Sequence, residues 1–161
     1  MSRLERFKEA QNSTHSGFAS ALDEVRTGGK RGHWIWYMFP QISGLGTSGP
    51  AQTFAIDGEE EAAEFLRDAE LRSRLLTIAT AVAEQLRTRP GRSLRALMGS
   101  DIDARKVVSS LPLFGLVARK LHEIEGIDAY RSFAEVAKEV LGAAESQGYP
   151  PCAYTLGRIR E

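Results

Sequence analysis

The chain has 161 residues, 42% hydrophobic and 26% charged, with 21 basic residues balancing 21 acidic ones. This composition is that of an ordinary globular protein, long enough to bury a core without staples, and 1–161 is expected to form one domain. The charge balance excludes a surface that is wholly a nucleic-acid footprint. The lone Cys152 excludes an internal disulfide and a cysteine metal cluster, and no apolar run approaches the roughly 18 residues of a membrane span.

In chain order, residues 3–10 predict a short helix with Leu4, Phe7 and Ala10 on one side. A second helix is expected over 16–27, where Phe18, Ala21, Leu22 and Val25 make one stripe, capped by Asn12, Ser13 or Thr14 and stopped by Gly28 and Gly29. The segment HWIWYMF, residues 33–39, reads as a short strand or an irregular turn ended by Pro40. A glycine-rich loop follows, with Gly44, Gly46 and Gly49. A helix then starts near Gly58, with Glu59, Glu60 and Glu61 at the favourable end of its dipole. Asp68 is placed to cap the longest helix, about 69–87, which Pro90 and Gly91 close. SLRALMG predicts another short helix. Asp101 or Asp103 caps the next, which Pro112 interrupts, and Leu113, Leu116, Val117, Leu121 and Ile124 form the stripe that follows. Ser132 and Glu135 have capping-box spacing ahead of a stripe of Phe133, Val136, Ala137 and Val140. Pro150 and Pro151 keep the start of the tail non-helical. The pattern therefore predicts an all-α fold of about six or seven helices with one irregular aromatic segment.

GLGTSG at 44–49 matches a dinucleotide-binding glycine fingerprint in letters. That motif needs a strand directly before it and a helix directly after. Pro40 and the loop that follows supply neither, so the glycines read as a path against a core. The residues imply no cofactor and no metal: His15, His33 and His122 lie in separate segments with no ligand spacing. Cys152 has no base beside it in sequence, and the acids of 57–70 read as a solvated helix face.

The basic groups carry more. Lys30, Arg31 and His33 precede Trp34, Trp36 and Tyr37, with Gln41 just beyond. A second cluster holds Arg87, Arg89, Arg92 and Arg95. Cations beside aromatic faces suit a phosphate-bearing ligand with a planar group, and a nucleic-acid partner is disfavoured without being ruled out. The same tryptophans suit a core plug or exposed anchors for a protein partner. Lys30, Arg31, His33 and Gln41 are the candidate polar site, and Trp34, Trp36 and Tyr37 the candidate aromatic wall. Asp103, Lys106 and Ser110, spaced to share a helix side, are secondary candidates. No catalytic set, partner or oligomeric state follows from the sequence. A segment like MSRLERFKEA, with acids and no apolar region, is no signal peptide, so the expected location is the cytoplasm.

LERFKEAQ at 4–11, KRGHWIWYMFPQISGLG at 30–46, AQTFAI at 51–56 and DARKVVSSLPLF at 103–114 occur together and in order. In this the chain resembles a widespread bacterial family, number 1810 among the domains of unknown function, over nearly its full length. The resemblance implies a compact, all-helical protein and transfers no activity or catalytic residue. Some relatives carry a calpastatin label. Inhibition of that kind suits a flexible chain that folds on binding, and the apolar periodicity here is that of a folded one.

Overall fold

The computed structural model describes residues 2–89 and 92–159. Among them are ten helices: α1 (Glu5–Gln11), α2 (Phe18–Thr27), α3 (Ile35–Met38), α4 (Gly49–Thr53), α5 (Gly58–Arg67), α6 (Ala69–Thr88), α7 (Leu94–Met98), α8 (Asp101–Glu125), α9 (Asp128–Ser146) and α10 (Ala153–Arg158). The all-α class stands and the expected six or seven helices do not. Three of the additions, α3, α4 and α10, span four to six residues, too few for a 3.6-residue period to repeat. The aromatic segment, expected as a strand or irregular turn, forms α3. Pro90 and Gly91 lie outside the described residues.

Pro112 does not interrupt α8, which runs through it. A proline here removes the N–H that would bond the carbonyl four residues back. Burial of the surrounding Leu111, Leu113, Phe114, Leu116 and Val117 opposes that cost, and the Thr155 hydroxyl donates to the nearby Ser109 carbonyl at 2.9 Å. Capping also departs from expectation in places. Asp68 caps α6 by accepting from Leu71 N at 3.0 Å, as its spacing predicts. Ser100, not either aspartate, caps α8. Gly17 precedes α2 with no side-chain cap, and Ser132 lies inside α9 rather than at its start.

Helix α8 is the central element, with α9, α5, α7, α10 and α3 packed on it, while α6 packs on α9 and α2. An aromatic ladder ties the early chain to this core. Tyr37 meets Phe54 at 5.2 Å, Phe54 meets Phe7 at 5.9 Å, Phe7 meets Phe65 edge-on at 5.2 Å, and Phe65 meets Phe114 at 5.0 Å. Such tilted and edge contacts suit the ring quadrupole. Of the glutamates that open α5, Glu61 is buried rather than solvated. Its carboxylate takes Arg6 at 2.8 Å and the Asp57 N–H at 2.7 Å.

A glycine that both backbone and space require sets the position of Lys30. Gly99 ends α7 at φ +84°, and a Cβ there would sit 2.9 Å from the Lys30 carbonyl oxygen. Lys30 N in turn donates to Leu97 O at 2.8 Å, so this crossing places Lys30. Gly99→Ala is expected to cost about 1–2 kcal/mol from the left-handed conformation alone, before the Lys30 backbone moves. Thermal denaturation checks it, and an unchanged Tm would contradict the crossing.

Candidate functional site

Glu24, near the end of α2, organises the start of the aromatic segment. Its Oε1 accepts from Arg31 N at 2.6 Å, Gly32 N at 2.8 Å and Trp34 Nε1 at 3.0 Å. Burial pushes the Glu24 carboxyl up, but these three donors and the Arg31 charge outweigh it and hold it below the usual carboxylate value. Trp34 is thereby fixed in the core, fully buried, and Tyr37 is buried with its hydroxyl on Ser16 O at 2.5 Å. Exposed anchors would need these two rings at the surface. Trp36 alone of the three is half-buried.

The structure joins the primary and secondary candidates through Asp103. Lys30 Nζ lies 2.8 Å from Asp103 Oδ2 and donates to Gly32 O at 2.5 Å; Lys106 Nζ lies 3.4 Å from Asp103 Oδ1. Each ammonium also sits against a tryptophan ring, Lys30 5.2 Å from the Trp34 centroid and Lys106 4.6 Å from that of Trp36. The Lys30 side chain is 7% exposed, Asp103 17% and Lys106 19%. One carboxylate thus serves two ammoniums in a poorly hydrated place, which leaves positive charge in excess.

That excess borders a cavity of about 640 Å³ between the 41–48 loop, the start of α4, the first turns of α8 and residues 149–153. Trp36, Gln41 and Lys106 line it, together with Arg105, Ser109, Thr47, Ser48 and Cys152. Among the described residues its lining includes two cations and no carboxylate. The Trp36 Nε1 is buried without a hydrogen-bond partner. Gln41 is positioned by an isolated parallel bridge between Ile42 and Ile56, its carbonyl accepting from Ile56 N at 2.8 Å. Arg105 pairs with Asp101 at 2.8 Å, and Asp101 also accepts from the Tyr149 hydroxyl at 2.7 Å.

Arg31 and His33 are exposed and lie outside the cavity wall. Ser110 is fully buried with its hydroxyl unpartnered, and it is Ser109 that reaches the cavity. In the second basic cluster Arg87 pairs with Glu139 at 2.9 Å, and Arg92 donates to the Gly28 carbonyl.

Cys152 Sγ lies 3.3 Å from both Ser109 Oγ and Thr155 Oγ1. Burial pushes this thiol up, but bonds from the two hydroxyls and from the Thr155 and Tyr154 N–H groups prevail and set it below the ordinary value. Each hydroxyl has one proton and two acceptors, the sulfur and a carbonyl. A thiolate draws those protons from the carbonyls of Arg105 and Ser109; a thiol leaves them there and donates its own. Sequence offered no signal for this group, because Cys152 and Ser109 are 43 positions apart.

Residues 1–139 match the family described as "Protein of unknown function (DUF1810)". The chain belongs to this family. A solved structure that resembles it is the conserved hypothetical protein Rv1873 of Mycobacterium tuberculosis, 31% identical, with a TM-score of 0.73 over 96% of this chain and 94% of that one. No curated protein matches. The DUF1810 match covers the aromatic segment and α8, whereas Tyr149, Pro150, Pro151 and Cys152, which complete the cavity, fall beyond it. Among the described residues, no helix is long and apolar enough to cross a membrane.

Proposed function

We propose that this DUF1810 protein binds a small organic anion in the cavity beside Trp36. The observation that carries this reading is the lining itself, with Arg105 and Lys106 and no carboxylate among its described residues. Lys106 supplies the charge, since Asp103 is shared with Lys30 and holds Lys106 only at 3.4 Å. Gln41 supplies an amide that can donate or accept, and Thr47, Ser48 and Ser109 supply hydroxyls. The volume is in the range of small-molecule sites.

A nucleotide or ADP-ribose-type ligand is the more specific reading, favoured by the half-buried Trp36 ring on the cavity wall. Such a face accepts a planar base. Arg31 and His33 have no part in either reading, because both stand outside the wall.

The test is a thermal-shift panel of ethyl phosphate, inorganic phosphate, AMP, ADP-ribose, NAD and short carboxylates. A ligand that binds the native state raises apparent stability. Lys106→Gln keeps the stem and removes the charge, and it is expected to weaken the best ligand by about tenfold to a hundredfold. His33→Ala and Arg31→Ala are expected to bind as wild type does. The reading fails if no panel member shifts Tm at millimolar concentration, or if Lys106→Gln binds unchanged.

A further inference from the structure

A second hollow of about 530 Å³ lies between α8, α9 and the segment that carries α10. Its character is different from the first. Val108, Leu111, Leu116, Ala137 and Leu141 face it, and its charged residues, Arg119, Lys138 and Glu145, are exposed side chains. Charged side chains of this kind keep their heads in water and leave the floor apolar. Two glycines shape the groove. Gly115 lets α8 approach α9, where its missing Cβ would meet Ala137 at 3.3 Å, and at Gly142 a Cβ would meet nothing within 4 Å.

The two hollows are neighbours. Val108, Tyr149 and Pro151 line both. One holds excess positive charge and the other is apolar, and the two share a wall of which Pro151 is the exposed member.

Size selects the occupant of the apolar part. A helix is about 10–12 Å across and rises 5.4 Å per turn, so one turn occupies roughly 400–600 Å³. The hollow therefore has the volume of a single turn, and a partner helix would rest across it without being seated. That volume is ample for one unbranched hydrocarbon chain.

We propose that the two hollows form one composite site for a single-chain anionic amphiphile. A phosphate or carboxylate head sits against Lys106 and Arg105, and an unbranched alkyl chain passes Val108, Tyr149 and Pro151 into the groove between α8 and α9. This rests on the anion site proposed above and adds the chain.

Binding of monoalkyl phosphates, from about two to twelve carbons, to the full chain by calorimetry below their micelle concentrations tests both parts. Affinity is expected to rise by up to roughly fourfold per added methylene until the groove is filled. A matching carboxylate series separates the two head chemistries. Gly142→Phe fills the groove from a position with open space and no left-handed backbone. It is expected to remove the gain from chain length, to leave ethyl phosphate binding as in wild type, and to keep Tm at or above wild type, since glycine is a poor residue inside a helix. Leu156→Gln, at an exposed position on the outer wall, should reduce the gain per methylene without touching the core. Lys106→Gln should weaken every member by the same factor.

If ethyl phosphate itself does not bind, the anion reading fails. If it binds and chain length adds nothing, the composite site fails and the anion reading survives. The composite site also fails if Gly142→Phe retains the chain-length gain, if Lys106→Gln leaves the long chains unaffected, or if AMP or ADP-ribose binds more tightly than every alkyl phosphate. Concentration-dependent dimerisation abolished by Gly142→Phe would assign the groove to a second copy of the chain and overturn the proposal.

Discussion

Replacing Asp103 by alanine is expected to cost about 2–3 kcal/mol and to lower Tm by roughly 5–10 °C. The reason is the unequal burial of its two partners. Lys106, at 19% exposure, can turn its ammonium to water, whereas Lys30, at 7%, cannot. Lys30 would keep only the Gly32 carbonyl and the Trp34 face. A buried ion pair broken on one side leaves an uncompensated charge, and that penalty exceeds what the intact pair contributes over an apolar substitute. Pairing Asp103→Leu with Lys30→Met should therefore recover most of the loss, and a double-mutant cycle by urea denaturation isolates the coupling. A single Asp103→Ala variant within about 0.5 kcal/mol of wild type, the range of ordinary surface changes, would contradict the assignment. Asp103→Asn should separate stability from binding. It keeps the shape, lowers stability, and releases the Lys106 charge toward the cavity, so anion affinity should rise while Tm falls.

Glu24→Ala is expected to cost about 2–4 kcal/mol at neutral pH, because three donors lose a charged acceptor together. Glu24→Gln should cost less, since an amide oxygen still accepts while the charge is gone. The pH dependence identifies the mechanism. The fold lowers the Glu24 pKa, so its contribution is fully present above the unfolded value of about 4.3 and is lost as pH falls through the folded value. Wild type should lose stability in that acidic window and Glu24→Gln should lose less, so their urea midpoints should converge from pH 7 to pH 3. Glu64, Asp68 and Asp101, also lowered, titrate in both proteins and largely cancel in the difference. A gap that stays constant across that range would show that the Glu24 charge is not what holds the segment.

The helices with sustained periodicity were legible from residues alone. Helix α6 and its Asp68 cap followed from Leu71, Leu75, Ile78 and Val82 at helical spacing and an acceptor just ahead of them. The single-turn elements were not, because one turn of Ile35–Met38 contains no repeat to detect. Pro112 misled for a physical reason: the local rule of a missing N–H was overridden by burial on both sides of α8. At the site, Lys30, Trp36, Gln41 and Lys106 could be named from residue type, and the structure links Lys30 to Lys106 through Asp103. Arg31 and His33 were indistinguishable from these in sequence, since exposure depends on how Glu24 holds the backbone. Ser109, Arg105 and Cys152 share one cavity only because residues 149–153 pack beside α8, a contact between distant parts of the chain.

Helix α10 is attached lightly for an element that walls two hollows. Thr155 is its one buried residue, and besides its packing on α8 it is tied by the Tyr154 hydroxyl and Arg158 guanidinium on the Ser43 carbonyl, at 2.9 Å and 3.2 Å. Gly44, at φ +100°, leaves room for that tyrosine, where a Cβ would collide with its hydroxyl. Elements held by few buried contacts open at lower free energy than the core that supports them. The consequence is kinetic. Amide hydrogen exchange in α10 should be faster than in α8, and substituting Gly44, which displaces Tyr154, should speed it further while leaving the global Tm nearly untouched.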